Sequence, residues 1–299
     1  MLISNASLKK THTKVSKIKI AEKSGFCFGV RRAINLAEKT ANSENKVYTL
    51  GPVIHNPQEV KRLEKKGIKT LKDPKSVREG TIILRTHGIP LELHKKLAKN
   101  KSLNIIDATC PFVKRAQDIV KALGADNSKD DTIVIAGERA HPEVVALVSY
   151  GSGKCVVVEN IKEARELKAK GSLSIVSQTT QSPENFSNIV NCLKKRYKVK
   201  VFNTICKATF DRQRSAEKLA KKADIMIVIG GKNSGNTTRL SQICAEKTET
   251  YHIETVGDIK EKWFKNKNNI GLTAGASTPG WIIEQIKRRI ENIVSQKDS

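Results

Sequence analysis

The sequence is poor in aromatic residues and contains no long apolar run. Phe, Trp and Tyr make up only 4% of the 299 residues, so the stacking platforms that bind single-stranded nucleic acids are scarce. No stretch approaches the roughly 18 apolar residues of a membrane span. Residues 1–14 lack the apolar segment of a secretory signal. We therefore expect a cytoplasmic protein without a membrane or nucleic-acid partner.

Acidic residues are also few, with 30 against 55 basic residues and a net charge of +25. Such an excess raises the hypothesis of nucleic-acid binding. The lysines, however, are dispersed over most of the predicted helices, and no standard DNA- or RNA-binding motif is present. We interpret the charge as a solvated surface that can also attract an acidic substrate and an acidic protein partner.

The six cysteines include no CxxC pair. Their wide spacing does not predict a disulfide framework and favours a reducing compartment. Cys155, Cys192 and Cys244 lie in apolar contexts, where a cysteine is most often a small buried hydrophobe. The other three, Cys27, Cys110 and Cys206, stand at predicted strand-to-helix junctions, where a helix N-terminus favours a thiolate.

These three junction cysteines form an internal repeat. They lie 83 and 96 residues apart, and each opens a basic helix. No Pro/Gly/Ser-rich linker divides the chain, so the boundaries rest on the repeat alone: a tail at 1–15 and α/β units at 16–109, 110–205 and 206–299. Three units around one axis bring three thiolates to a single point. The thiolates predict either zinc with an open position or a [4Fe–4S] cluster with one iron free of protein ligand.

Each unit also carries two polar segments that follow short apolar strands. Apolar runs alternate with amphipathic helices, for example at 183–197, 212–222 and 279–294, which predicts parallel strands covered on both faces. Ligands bind at the carboxyl ends of such strands, and the helix N-termini there suit phosphate. The donor-rich side chains at these ends, which suit a diphosphate, are His55, His87, His141, Ser234, Asn236 and Ser277.

Glu143 lies in the first turn of a predicted helix, directly after His141 and Pro142. An acidic residue is favoured there by the helix dipole alone. Among the other polar residues of the site, however, we interpret it as a proton donor that His141 and Thr179 orient or relay.

At these residues the chain resembles the 4-hydroxy-3-methylbut-2-enyl diphosphate reductase family, which catalyses the last step of the methylerythritol phosphate route to isoprenoids. The similarity runs in order from about residue 16 to residue 294. The matching stretches are Gly25-Phe26-Cys27-Phe28-Gly29-Val30, Val53-Ile54-His55-Asn56, Thr86-His87-Gly88, Asp107-Ala108-Thr109-Cys110-Pro111, His141-Pro142-Glu143-Val144, Gln178-Thr179-Thr180, Ile205-Cys206-Lys207-Ala208-Thr209, Gly231-Lys232-Asn233-Ser234-Gly235-Asn236 and Gly271-Leu272-Thr273-Ala274-Gly275-Ala276-Ser277.

The resemblance implies a trefoil of three pseudo-threefold-related α/β units with mostly parallel sheets around a central cluster. One [4Fe–4S] cluster per chain is held by Cys27, Cys110 and Cys206. The implied reaction removes the allylic hydroxyl of the substrate with two electrons and two protons, and it yields isopentenyl and dimethylallyl diphosphate.

The resemblance also implies roles for the polar residues. Proton delivery falls to Glu143 with Thr179 and His141. Many members of the family have a second serine where Gly235 stands, so one hydroxyl contact is missing here, although a glycine N–H can still donate. The residues implied to bind substrate are His55, His87, His141, Thr179, Ser234, Gly235, Asn236 and Ser277.

The chain contains no flavin or nicotinamide motif, so electrons must come from another protein. We expect an acidic carrier, a ferredoxin or flavodoxin. Two alternatives stay open at this point: a quinolinate-synthase-like enzyme, which also places three cysteines around an open-iron cluster, and a basic nucleic-acid-binding protein with a structural metal.

Overall fold

The computed structural model describes residues 16–44, 46–54, 56–71, 73, 76–126 and 131–296. The predicted tail at 1–15 and the predicted ligand-binding residue His55 lie outside the described residues. In the part of the chain that is described, no helix combines the length and the apolarity needed to cross a membrane.

The described residues form twelve strands and ten α-helices, together with 3₁₀ turns at Val256–Asp258 and Glu261–Phe264. The strands are β1 (Lys17–Ile20), β2 (Val47–Leu50), β3 (Ile68–Leu71), β4 (Gly80–Leu84), β5 (Leu103–Asp107), β6 (Thr132–Ala136), β7 (Cys155–Val158), β8 (Leu173–Ser177), β9 (Val199–Phe202), β10 (Ile225–Ile229), β11 (Glu249–Ile253) and β12 (Asn269–Ala274). The helices are α1 (Phe28–Ser43), α2 (Pro57–Lys65), α3 (Leu91–Ala98), α4 (Pro111–Ala125), α5 (Pro142–Tyr150), α6 (Ile161–Glu166), α7 (Pro183–Lys194), α8 (Lys207–Ala220), α9 (Gly235–Ala245) and α10 (Gly280–Ser295).

The strands build three four-stranded sheets with the same order. These sheets are β3-β2-β4-β5, β7-β6-β8-β9 and β11-β10-β12-β1, and every strand pair is parallel. The predicted fold class, α/β with three repeated parallel sheets, is confirmed. The described residues divide into two compact units: Phe26–Phe210 contains the first two sheets, and the residues up to Gly25 together with those from Asp211 onward contain the third.

β10 illustrates why these sequences become central strands. All five residues from Ile225 to Ile229 are buried. Because successive side chains point to opposite faces, Ile227 packs with α10 in one apolar cluster and Val228 packs with α8 and α9 in another. A strand covered on both faces must be apolar throughout, and each fully buried aliphatic side chain contributes roughly 1.5–3 kcal/mol.

The N-terminal strand β1 falls within the first predicted unit, but it does not join the sheet of that unit. It joins the third sheet. β1 pairs with β12, with Ile18 opposite Ile270 and Ile20 opposite Leu272. It thereby occupies the place that β5 and β9 hold in the other two sheets, and it covers an edge of β12 that would otherwise present unpaired backbone groups. The unit boundaries drawn from the repeat stay a prediction.

The predicted helices are present with shifted ends. α7 begins after Ser182, whose side chain accepts a hydrogen bond from the N–H of Asn185, as its Ser-Pro start indicates. Thr278 does not cap α10 in this way, because its hydroxyl donates to the Ile229 carbonyl at 3.1 Å and secures the end of β10. α8 starts earlier than predicted, directly after Cys206.

Candidate active site

Each of the three junction cysteines follows the edge strand of one sheet and stands at the start of a helix. Cys27 and Cys110 are the N-cap residues of α1 and α4, and Cys206 directly precedes α8. The preceding strands are β1, β5 and β9, which hold the same position in their sheets. The repeat seen in the sequence is therefore a repeat of structure.

The thiols of these cysteines lie near one another within the unit Phe26–Phe210. A Cβ added to Gly29 would stand 2.5 Å from the Cys110 sulfur, so the first turn of α1 packs closely against Cys110. Burial is the largest influence on Cys110 and raises its pKa, and the charges of Cys27 and Cys206 raise it further, whereas the N–H groups of Phe112 and Val113 lower it. The repulsion between three neighbouring thiolates is relieved by a bound cation.

This donor set fits a metal cluster. Its ligands are thiolates at helix N-termini, which are the groups that hold iron–sulfur clusters in proteins. Among the described residues, no three His, Cys, Asp or Glu side chains lie close enough to share one metal ion. A cluster that binds each sulfur through a different iron does not require the three thiolates to share one ion.

The remaining cysteines behave as packing residues. Cys244 is buried in a core cluster, and Cys155 and Cys192 pack at the edges of two others. Burial raises the pKa of Cys155 to about 11 and that of Cys244 to about 12, so both are neutral thiols near pH 7. No disulfide joins any of the six cysteines.

Glu143 is the most strongly perturbed carboxyl group near these cysteines. It lies in the first turn of α5 and is only 1% exposed. The backbone N–H of Thr179 donates to its Oε1 at 2.6 Å, and the Thr179 hydroxyl bonds to its Oε2 at 2.7 Å. Burial outweighs these two bonds and raises the pKa of Glu143 to about 7. The group can therefore hold or release a proton near neutral pH.

Direct contacts link these polar groups to the cysteines. The N–H of Cys206 donates to the carbonyl of Thr179 at 2.7 Å, and the N–H of Cys110 donates to the carbonyl of Thr86 at 2.9 Å. The residue after Thr86, His87, packs edge to face against His141 with ring centroids 5.3 Å apart. His141 caps α5, and its Nδ1 accepts from the N–H of Glu143 at 3.2 Å. The structure thus brings together the predicted residues Cys27, Cys110, Cys206, His87, His141, Glu143 and Thr179.

The other predicted residues that the structure describes belong to the second compact unit, in which two loops lie side by side. Ser234 caps α9 and accepts hydrogen bonds from the N–H and the hydroxyl of Thr237. The loop after β12 approaches the same helix start, because a Cβ added to Gly275 would stand 2.4 Å from the Thr237 hydroxyl. That loop contains Ser277, while Gly235 and Asn236 are exposed in the first turn of α9. Apart from its chain neighbours and the backbone of its own helix, no atom of the described residues lies within 4 Å of the position of a Gly235 Cβ, so a serine side chain would fit there.

Sequence reasoning missed Gln117, in the second turn of α4 after Cys110. Its side chain is 2% exposed, and its Nε2 has no hydrogen-bond partner among the described residues. This nitrogen lies against the backbone next to His87, since a Cβ on Gly88 would be only 2.2 Å away. The available signal was an amide on the otherwise apolar buried face of α4.

The raised pKa of Glu143 predicts a pH-dependent stability. Its folded-state pKa of about 7 exceeds the usual glutamate pKa of 4.5, so the folded state holds the proton more tightly and stability falls as the pH rises between these values. The loss is on the order of 3 kcal/mol, at 1.36 kcal/mol per unit. Chemical unfolding of the parent should show this decline between pH 5 and pH 8, whereas Glu143→Gln should show a smaller one. Parallel curves for the two proteins would contradict the assignment.

These features define an α/β protein in which three parallel sheets repeat and cysteine-capped helices meet beside a buried carboxyl group. The chain belongs to the LytB protein family, whose model matches residues 18–291.

Relatives and solved structures agree with this membership. The chain is 47% identical to a 4-hydroxy-3-methylbut-2-enyl diphosphate reductase from Pelobacter propionicus, covering 93% of this chain and 98% of that protein. It is 48% identical to the reductase from Aquifex aeolicus, covering 92% and 96%. The predicted family and the prediction of an oxidoreductase are confirmed.

Two solved structures carry the same fold. A structure of (E)-4-hydroxy-3-methyl-but-2-enyl diphosphate reductase, described as the terminal enzyme of the non-mevalonate pathway, has a TM-score of 0.76 and 47% identity, covering 93% of this chain and 99% of its own. The Plasmodium falciparum E-1-hydroxy-2-methyl-but-2-enyl-4-diphosphate reductase has a TM-score of 0.79 and 29% identity, covering 92% and 87%.

Proposed function

We propose that this protein reduces 4-hydroxy-3-methylbut-2-enyl diphosphate to isopentenyl and dimethylallyl diphosphate. The observation that carries the proposal is the buried, hydrogen-bonded pair of Glu143 and Thr179. The carbonyl of Thr179 accepts from the N–H of Cys206, and burial raises the pKa of Glu143 to about 7. A proton donor beside a cluster ligand suits a reaction that consumes both protons and electrons. The named relatives, which are reductases of this substrate, support the same reaction.

Cys27, Cys110 and Cys206 would hold one [4Fe–4S] cluster, with one iron left without a protein ligand. When bound, the cluster supplies electrons and a Lewis-acid iron for the hydroxyl of the substrate. Two electrons and two protons balance the reaction: the C–O bond breaks, the oxygen leaves as water, and a new C–H bond forms.

Glu143 delivers a proton in this scheme. Hydroxide is a poor leaving group, so protonation of the departing oxygen lowers the barrier to C–O cleavage. Thr179 fixes both carboxyl oxygens of Glu143 and thereby orients the acidic proton. His141 stabilises the start of the helix that carries Glu143. The burial of Glu143 keeps the group protonated up to neutral pH.

The diphosphate group is proposed to bind to polar side chains and helix N-termini at the carboxyl ends of the central strands. In the unit Phe26–Phe210, His87 and His141 offer ring N–H groups. In the other unit, the start of α9 offers backbone N–H groups. Fixing both phosphates restricts the carbon chain to one orientation, which is catalysis by positioning. The full proposed set is His55, His87, His141, Thr179, Ser234, Gly235, Asn236 and Ser277.

If these residues bind the diphosphate group, replacing one of them should lower the affinity for substrate and for inorganic diphosphate alike. His87→Ala and Ser277→Ala should each weaken the binding of both ligands by roughly 10- to 150-fold, since a hydrogen bond to a charged group contributes about 1.5–3 kcal/mol. Gly235→Ser adds a hydroxyl group and should tighten the binding of both ligands, because the position of its side chain is open. Calorimetry on the as-isolated protein measures these affinities. Weaker substrate binding with unchanged diphosphate affinity would assign these residues to the carbon chain.

The electron donor is proposed to be an acidic carrier, a ferredoxin or a flavodoxin, because the net charge of +25 attracts such proteins. A cytoplasmic location remains a prediction, supported by six cysteines without a disulfide. The named relatives favour the reductase over a quinolinate-synthase-like enzyme and over a nucleic-acid-binding protein.

The reaction is tested by anaerobic turnover of the reduced protein with 4-hydroxy-3-methylbut-2-enyl diphosphate. We expect both isopentenyl and dimethylallyl diphosphate, together with consumption of two electrons per product. The substrates of quinolinate synthase, supplied in parallel, should remain unchanged. Formation of quinolinate, or no reduction of the allylic diphosphate by protein that contains its cluster, would contradict the proposal.

A further inference from the structure

Three phenylalanines remain exposed in the first turns of the cysteine helices. Aromatic residues make up only 4% of the chain, yet each junction cysteine is followed within four residues by one of them. The exposed fractions are 63% for Phe28, 44% for Phe112 and 49% for Phe210. Exposed apolar side chains that gather at the starts of neighbouring helices indicate a surface that contacts another molecule.

These phenylalanines lie in one neighbourhood because their cysteines do. The first turn of α1 packs against Cys110 at Gly29, directly beside Phe28. Hydrogen bonds connect the starts of α8 and α4 to the same group of side chains, since the N–H of Cys206 donates to the Thr179 carbonyl at 2.7 Å and the N–H of Cys110 donates to the Thr86 carbonyl at 2.9 Å. Thr179 bonds to Glu143, and the neighbour of Thr86, His87, packs against His141 at the start of the helix that carries Glu143. All three junction cysteines are partly exposed, and none is sealed in the core.

Basic side chains surround the phenylalanines. The five residues after each cysteine contain five basic residues and one acidic residue, Asp211. Four of the basic side chains are exposed; Lys114 also pairs with Asp107 at 3.7 Å. The cysteine-helix face is defined as Phe28, Phe112 and Phe210 together with Arg31, Lys114, Arg115 and Lys207.

We propose that the cysteine-helix face docks a small acidic electron-carrier protein. The inference rests on the proposed function, in which the cysteines hold a redox cluster. Electron transfer requires the donor to approach that cluster closely, and this face is formed by the helix turns that would hold it. Aromatic and Arg side chains serve as anchors of protein interfaces, while a basic rim selects and attracts an acidic partner.

The proposed complex is transient. Each substrate consumes two electrons, so two one-electron carriers bind in succession and each leaves oxidised. Redox encounters of this kind use small interfaces, below about 1,200 Å². A few exposed phenylalanines within a basic surface suit such an interface, because affinity must be low enough for the spent carrier to leave.

The test uses the holoenzyme with an oxidised acidic [2Fe–2S] ferredoxin as the binding probe. Phe28→Ser/Phe112→Ser should raise the Kd for ferredoxin by about tenfold or more in calorimetry, as expected when interface anchors are removed. With reduced methyl viologen as the donor, its turnover should stay within about twofold of the parent rate, because the small dye needs no docking surface. Ile161→Ser is the matched control, since Ile161 is another exposed apolar residue, at 38%, on a helix without a junction cysteine. It should change neither value.

A second pair of substitutions tests the basic rim. Arg31→Glu/Arg115→Glu should slow turnover with subsaturating ferredoxin and flatten its dependence on salt. Attraction between opposite charges weakens as the Debye length falls from ~30 Å at 0.01 M to ~8 Å at 0.15 M salt. Turnover with methyl viologen should keep the salt dependence of the parent.

Three results would overturn the docking role. One is parental ferredoxin affinity in Phe28→Ser/Phe112→Ser. The second is loss of iron from that variant, which would mean that the phenylalanines protect the cluster. The third is a dimeric parent that dissociates on these substitutions in light scattering, which would make the face an interface between copies. Failure of the parent itself to reduce substrate with methyl viologen would instead contradict the proposed function.

Discussion

Cys110→Ser is expected to abolish both cluster retention and turnover. Serine keeps the size of the side chain but replaces a soft thiolate with a hydroxyl, which is a poor ligand for iron. The loss should be complete, because the remaining two thiolates would leave two irons without protein ligands. Iron and sulfide analysis after anaerobic purification measures retention, and reduction of the allylic diphosphate measures turnover. The same outcome is expected for Cys27→Ser and Cys206→Ser.

Cys192→Ser is the matched control for this series. Cys192 is also half-buried on a helix, but it packs at the edge of an apolar cluster and lies in the interior of α7, not at its start. It should retain iron and activity, as should Cys155→Ser and Cys244→Ser at some cost in stability. Full iron content and turnover in Cys110→Ser would contradict the assignment of the ligands.

Glu143→Gln should leave substrate binding intact and lower the rate of reduction by a factor of about 10²–10⁴, the usual contribution of acid catalysis. That factor corresponds to about 2.7–5.5 kcal/mol of barrier. Glutamine reproduces the hydrogen bonds of the neutral acid, since its oxygen can accept from the Thr179 N–H and its amide can donate to the Thr179 hydroxyl. It carries no acidic proton, so the fall reports proton transfer and not packing.

Two further variants sharpen this test. Glu138→Gln is the control, because Glu138 is an exposed carboxylate on the loop that precedes α5, and it should keep the parental rate. Thr179→Val should lower the rate less than Glu143→Gln, since it removes only the orienting hydroxyl. The double variant Glu143→Gln/Thr179→Val should be little worse than Glu143→Gln alone, because the two groups act as a unit. If Glu143→Gln turned over substrate at the parental rate, Glu143 would not be the proton donor, and its role would be limited to stabilising the start of α5.

The repeat of the fold was predictable from the sequence because the same order of apolar, polar and cysteine-containing segments occurs in each unit. In each unit a cysteine begins a basic helix, and apolar runs such as Ile225–Ile229, buried on both faces, follow it and end in polar residues. These patterns are local, and so the class of fold, the parallel strands and the junction cysteines could all be inferred from them.

The partner of β1 could not be predicted in the same way. The segment Lys17–Ile20 has an ordinary strand pattern, and only the open edge of β12, more than 200 residues away in the chain, determines where it pairs. The hydroxyl of Thr278 likewise donates to a distant carbonyl at the end of β10 and not to its own helix, which the Thr-Pro sequence alone does not reveal.

Long-range contacts also fix the details of the site. The sequence predicted that Glu143 and Thr179 act together, but not that both oxygens of Glu143 bind to Thr179. The burial of Gln117 against Gly88 depends on how α4 meets the loop after β4. Such facts follow from packing between elements, which a pattern within one element does not encode.

The measurement that tests the central claim most directly is the metal and sulfide content of anaerobically purified protein. We predict four irons and four acid-labile sulfides per chain, no zinc, and a matching visible absorption, as expected for one [4Fe–4S] cluster on three thiolates. One zinc per chain without sulfide would contradict the account, because Cys27, Cys110 and Cys206 would then hold a structural or hydrolytic metal that cannot supply electrons.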